Sequence, residues 1–342
     1  PESHQESSEM NPQPQEMPPD RNLALELVRV TEAAALQAAR WIGRGDKEAA
    51  DQAAVDGMHA VLHTIHMDGI VVIGEGEKDE APMLYNGERV GDGSGPEVDV
   101  AVDPLEGTTL AAKGMPNALC VVAISARGSM FDPGPCVYME KLVGGPDLEG
   151  ALSLTDPIEN VLQAVAKLRG VALGDLMVVI LDRPRHAEMI TRIREAGVRI
   201  RLISDGDVSG ALLAAMPDTG IDLLWGIGGT PEGVLSAAAI RCVGGTMLGR
   251  LWPRDEDEAQ RARDAGYDLA RVLTTEDLVA SEDCFFAATG VTDGDLVRGV
   301  RFDATGATTH SLVMRGRSGT IRWVDAHHHR AKLRALMGDR YG

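Results

Sequence analysis

EVDVAVDPLEGTT, residues 97–109, reads as a strand that ends in acids. Val98, Val100 and Val102 point to one face, and Asp99, Ala101 and Asp103 to the other. Pro104 has no amide hydrogen with which to continue a ladder, so the strand is predicted to stop there. Asp103 and Glu106 then share one tight turn, and two carboxylates that close repel unless something positive lies between them. Two readings follow. Thr108 or Thr109 caps the next helix with both acids solvated at its positive end, or the turn holds a cation.

The flanking segments bear on that choice. A first helix is predicted from a cap at Asp20 through about Ile42, and GRGD breaks it. A second runs from near Asp46 to about His66, with Val55, Met58, Leu62 and Ile65 on its apolar stripe. Asp51 lies one turn before Val55 on that stripe. A carboxylate there needs a partner, either Lys47 one turn earlier or a metal. IVVIGEGEKDE (70–80) is a β-branched strand that ends on Glu75, followed by an acidic loop whose Glu77, Asp79 and Glu80 can all be solvated. Two strands with acids at their exits, plus Asp51, make an oxygen-ligand cluster suited to Mg²⁺ or Mn²⁺.

Beyond residue 150 strand and helix alternate: MVVILD, RPRH and a helix; VRIRLIS, DGD and a helix; IDLLWGIGG, TPEG and a helix; then TMLGRLW. That rhythm predicts a parallel sheet, with ligands beyond the carboxyl ends of its strands. Those ends carry Arg183, Arg185 and His186; Asp205 and Asp207; and Gly228, Gly229 and Glu232. The basic group suits phosphate, and the acids suit sugar hydroxyls or metal. Taken singly, each has a structural reading: Arg183 and Arg185 as surface charges, His186 as a helix-start residue, Glu232 as a first-turn acid after Pro231. Their common place on one rim favours a site. GIGGTPEGV (226–234) is neither a Walker loop, because Val234 stands where Lys is needed, nor G-x-G-x-x-G, because Pro231 takes the last Gly position.

The 342 residues are 44% hydrophobic but only 4% aromatic, so the core must rest on aliphatic residues and 14 Met. A net charge of −19 disfavours nucleic acid and anionic membranes as partners. Cys120, Cys136, Cys242 and Cys284 show no zinc spacing and read as reduced core thiols. No apolar run of membrane length and no signal peptide is visible, which points to the cytosol. Residues 1–20 read as a disordered arm, 21–150 as an α+β metal-binding half and 151–342 as an α/β substrate-binding half. His327–His329 receive no catalytic role.

DPLEGT resembles the Asp-Pro-Ile/Leu-Asp-Gly-Thr motif of the lithium-sensitive, metal-dependent sugar and inositol phosphatases, with Glu106 in place of the second Asp. Together with GRGDKEAAD, VVIGEGEKDEAPMLYNGE, YMEKL, RPRH, DGD and GIGGTPEGV, it resembles the class II fructose-1,6-bisphosphatases over about residues 23–330. The resemblance implies a layered α/β/α/β/α sandwich. It implies hydrolysis of the 1-phosphate of fructose 1,6-bisphosphate in gluconeogenesis, with Mg²⁺ or Mn²⁺ and a homodimer or homotetramer. It implies metal ligands at Asp51, Glu75, Asp103, Glu106 and Glu232, and Thr108 activating water with Glu75 and Lys47 assisting. It implies substrate contacts at Glu106, Gly107, Thr108, Tyr138, Arg183, Pro184, Arg185, His186, Asp205, Gly206, Asp207 and Gly229. Sedoheptulose 1,7-bisphosphate, one carbon longer, is the alternative or second substrate. A sugar-phosphate sensor without turnover is the alternative from another class.

Overall fold

A computed structural model describes residues 23–76 and 82–332. Asp20, the 1–20 arm and the acids Glu77, Asp79 and Glu80 lie outside the described residues. The helices are α1 (Ala24–Ala38), α2 (Lys47–Leu62), α3 (Thr108–Lys113), α4 (Ile158–Arg169), α5 (Ala187–Glu195), α6 (Asp207–Ala215), α7 (Thr230–Val243), α8 (Glu256–Asp264) and α9 (Thr275–Leu278). The strands are β1 (Asp68–Ile73), β2 (Arg89–Val90), β3 (Glu97–Glu106), β4 (Leu119–Ala126), β5 (Tyr138–Gly144), β6 (Met177–Leu181) and β7 (Arg199–Ile203). They continue with β8 (Leu223–Gly229), β9 (Thr246–Trp252), β10 (Leu273–Thr274), β11 (Cys284–Gly290), β12 (Arg301–Phe302), β13 (Gly306–Arg315) and β14 (Thr320–His329).

Two sheets form, in the orders β12-β13-β11-β4-β3-β1-β2, with β14 on β13, and β10-β9-β5-β8-β6-β7. Three apolar layers hold them. Leu27, Met58 and Leu62 of α1 and α2 pack on Val100, Val122 and Ala287 of the first sheet. Ala211 and Leu212 of α6 and Leu235 and Ala238 of α7 fill the space between the sheets. Leu162 and Val165 of α4 and Ile193 of α5 cover the outer face of the second, against Val178, Ile180 and Trp225. The result is the α/β/α/β/α sandwich. The low aromatic content suits this middle layer, because Ala-rich helices let two sheets approach from both sides.

The structure differs from the sequence reading in three places. β3 runs through Pro104 to Glu106 instead of stopping. The ladder to β4 shifts register between Asp103 and Glu106, so Pro104 sits where no amide is demanded. Its second face is also buried: Ala101 joins the core between the sheets, and Asp99 accepts a hydrogen bond from the Met130 amide at 3.1 Å. The parallel sheet is confined to β6, β7 and β8. β5 intrudes between β8 and β9, antiparallel to both, and the late strands β11, β13 and β14 return to the first sheet. The sheets therefore do not divide the chain at residue 150. No described helix is long and apolar enough to cross a membrane. All four cysteines are buried and free.

Candidate active site

Each acid of the cluster is brought in by a different local device. Asp46 caps α2 by accepting from the Ala49 amide at 3.0 Å, which fixes the phase that turns Asp51 inward. Glu75 lies two residues past β1, Asp103 and Glu106 at the end of β3, and Glu232 in the first turn of α7 behind Pro231. All five line one cleft of about 370 Å³, with Gly107, Thr108, Asp205, Gly206 and Asp207. Gly107 takes φ 83°, a left-handed conformation open to glycine at little cost, and is itself the N-cap of α3. Among the described residues no side chain caps that helix, so Thr108 is not the cap that one sequence reading made it. It is instead the first helical residue, on the cleft wall.

The acids raise one another. Burial, then Glu106, Glu232, Glu75 and Asp51, push the Asp103 carboxyl well above the usual range. Burial and then Asp207 do the same to Glu106 and raise Glu232, and burial raises Asp51. Glu75 is pushed up to about 7 by burial, then by Asp51 and Glu232. Glu106 Oε1 accepts from the Val208 amide of α6 at 2.6 Å. Its Oε2, and Oε2 of Glu232, are buried and have no hydrogen-bond partner among the described residues. A Cβ at Gly229 would stand 1.8 Å from that Glu232 oxygen, so only glycine leaves it room. Orphaned carboxylate oxygens amid mutual repulsion are what hard divalent cations relieve, and an all-oxygen donor set suits Mg²⁺ or Mn²⁺. The residues present fit such ions.

A pH effect follows from the sign of these shifts. A carboxyl whose folded pKa rises from 4.5 to about 7 binds its proton more tightly folded than unfolded. Its contribution to stability therefore falls as pH rises through that window. Cation binding needs the ionised form, so the cation must displace those protons. The gap in Tm between Mn²⁺-loaded and chelator-treated protein is expected to widen steadily from pH 5 to pH 8. A gap independent of pH would refute the cluster as the binding site.

The rim divides into two groups. Asp205 is raised by burial, while Arg183 and Lys47 pull it back, so both cations face it. Arg185 donates to the Ile227 carbonyl at 3.1 and 2.8 Å and lies 4.8 Å over the Tyr138 ring. These residues, with Pro184 and Gly229, do not line the cleft floor. His186 differs from its expected substrate role. It is fully buried, with Nδ1 on the Leu181 carbonyl at 2.7 Å and Nε2 accepting from the Ile227 amide at 2.7 Å. Both ring nitrogens are spent on holding β6 to β8, which leaves none for a ligand.

Lys141 escaped the sequence reading although YMEKL contains it. It is buried at 1% exposure and donates to Asp207 Oδ2 at 2.5 Å and to the Gly229 carbonyl at 2.9 Å. The available signal was a lysine set among Met139, Leu142 and Val143, where a cation needs a buried acid. Lys141→Met is expected to lower unfolding free energy by about 2–3 kcal/mol, the scale of a hydrogen bond between charged groups. Asp207→Asn in the same chain should recover part of that loss in denaturant titrations, and no recovery would show that the two do not act as a pair.

Glu75 is placed by an unusual residue. Leu84 is fully buried with φ 56°, a conformation costly for a branched side chain. Its carbonyl accepts from the Glu75 amide at 2.9 Å, and its own amide donates to Glu88 Oε2.

Fold and site together define a class: a layered α/β enzyme whose strands and helices bring five carboxylates to one cleft. Comparison with known proteins narrows it. The family model for bacterial fructose-1,6-bisphosphatase, glpX-encoded, matches residues 21–328, and the chain belongs to this family. It is 47% identical to the fructose-1,6-bisphosphatase class 2 of Haemophilus influenzae, across 93% of this chain and 99% of that protein. It is 46% identical to the fructose-1,6-bisphosphatase 1 class 2 of Escherichia coli K12, across 90% and 96%.

Proposed function

We propose that this chain hydrolyses the 1-phosphate of fructose 1,6-bisphosphate, giving fructose 6-phosphate and phosphate, with Mg²⁺ or Mn²⁺. One observation carries the reading: five carboxylates converge on one cleft, two of them with buried oxygens that lack partners. Family membership supports the substrate. When bound, the cations polarise the phosphate and ease deprotonation of the attacking water. Asp51, Glu75, Asp103, Glu106 and Glu232 would hold them. Thr108 orients the water with a hydroxyl that both donates and accepts and adds no charge among the acids. Gly107 lets the backbone approach the phosphate.

Arg183 and Lys47 offset the field of the acids where the distal phosphate enters. Arg185, stacked on Tyr138, forms the wall beside it, with Pro184 and Gly229. Asp205, and the oxygen of Asp207 not taken by Lys141, accept hydrogen bonds from sugar hydroxyls, while Gly206 keeps the backbone between them close. Buried thiols in their free form suit a reducing compartment, and we assign the protein to the cytosol. A homo-oligomer is the expected assembly, supported by β14, which among the described residues pairs with β13 alone and exposes Trp323.

The test is phosphate release from fructose 1,6-bisphosphate with Mg²⁺ or Mn²⁺ and its loss on chelation. Binding of the bisphosphate without any release in the metal-loaded protein would make it a sensor instead.

A further inference from the structure

We propose that His59, His63 and Glu88 form a second metal site, for a divalent transition cation of the zinc type, separate from the acidic cleft. The two histidines are four residues apart on α2 and so share one face. His59 Nε2 lies 2.9 Å from Glu88 Oε1 and 3.0 Å from His63 Nε2, and His63 Nε2 lies 3.6 Å from the same Glu88 oxygen. A tetrahedral ion with ligands at about 2.0–2.1 Å keeps those ligands roughly 3.3–3.4 Å apart. The three observed edges bracket that spacing. A ring nitrogen carries either one hydrogen or one lone pair, so His59 Nε2 cannot serve both of its neighbours well. A cation would satisfy all three atoms at once. His63 is 38% exposed, which leaves solvent access for entry and for a water in the fourth position.

The donor set separates this site from the cleft. Two imidazoles and one carboxylate select zinc, cobalt, nickel or copper over magnesium. Asp51 and His59 are eight residues apart on one helix, so the sites lie on the order of 12 Å apart along its axis. They are also joined through backbone. Glu88 offers Oε1 to the histidines and Oε2 to the Leu84 amide, and the Leu84 carbonyl receives the Glu75 amide. An ion on this triad therefore ties α2 to the turn that carries Glu75.

The test is calorimetric titration of Zn²⁺ into the full chain with excess Mg²⁺ filling the cleft. The wild type should show a one-to-one event, and its Kd should rise at least about 10²-fold in His59→Ala and in His63→Ala, since even outer-shell losses cost 10–100-fold. Without Zn²⁺ both variants should keep the wild-type Tm within a few degrees and the Mg²⁺-supported rate within about twofold. Zn²⁺ should also slow hydrogen exchange at the Leu84 amide in the wild type and not in His63→Ala. Absence of the event in the wild type, an unchanged Kd in both variants, or loss of the event in His327→Ala/His329→Ala instead would overturn the proposal.

Discussion

Asp103→Asn is expected to raise the concentration of Mn²⁺ needed for half-maximal activity by at least about 10²-fold, the upper end of what outer-shell losses cost, because the substitution removes a proposed ligand itself. The substitution isolates charge from shape. Asp103 Oδ1 accepts from the Leu105 amide at 3.2 Å, and the Asn carbonyl can accept the same bond. The turn around Pro104 should therefore survive. The ionisable group is removed from a cluster in which burial, Glu106, Glu232, Glu75 and Asp51 all disfavour its charged form, so the cation-free protein should melt no lower than the wild type. High Mn²⁺ should recover part of the rate. An unchanged rate at limiting Mn²⁺, with unchanged Tm, would remove Asp103 from the ligand set.

Thr108→Ala is expected to cut kcat about 10²–10⁴-fold, the range for a group that helps move a proton in the transition state. A capping threonine would instead contribute about 0.5–2 kcal/mol to stability and little to rate. The structure has already separated these roles, because Gly107 is the N-cap and no side chain completes it. Tm should therefore hardly move, KM and the Mn²⁺ requirement should stay close to wild type, and Thr108→Ser should keep part of the rate. A lowered Tm with kcat within a few-fold of wild type would return Thr108 to a structural role.

Most of the acidic site was legible in the sequence because its geometry is local. A strand that stops two residues before Glu75, another that carries Asp103 near its end, and a helix whose phase is set by the Asp46 cap each aim a carboxylate by rules of period and termination. The rim after β7 and β8 was legible for the same reason. His186 was not, because a histidine after Arg185 looks alike whether its ring faces a ligand or the backbone of a neighbouring strand. Only the approach of Ile227 to its Nε2 distinguishes them.

The sequence by itself determined the first two helices, the strands that lead to Glu75 and Asp103, the strand-helix alternation after residue 150 with the acids at its turns, and, through its long motifs, the family. Tertiary structure decided which strands become neighbours. Parallel and antiparallel strands share the same two-residue period, so nothing local announces that β5 runs between β8 and β9 or that β11 and β13 return to the first sheet. Those long-range pairings put Lys141 against Asp207 and bring Glu106 to the first turn of α6. They also set His59 and His63 beside Glu88, 25 residues or more along the chain. Contacts of that separation are fixed by which buried faces and polar groups satisfy one another once the layers close, a condition on the whole chain and not on any window of it.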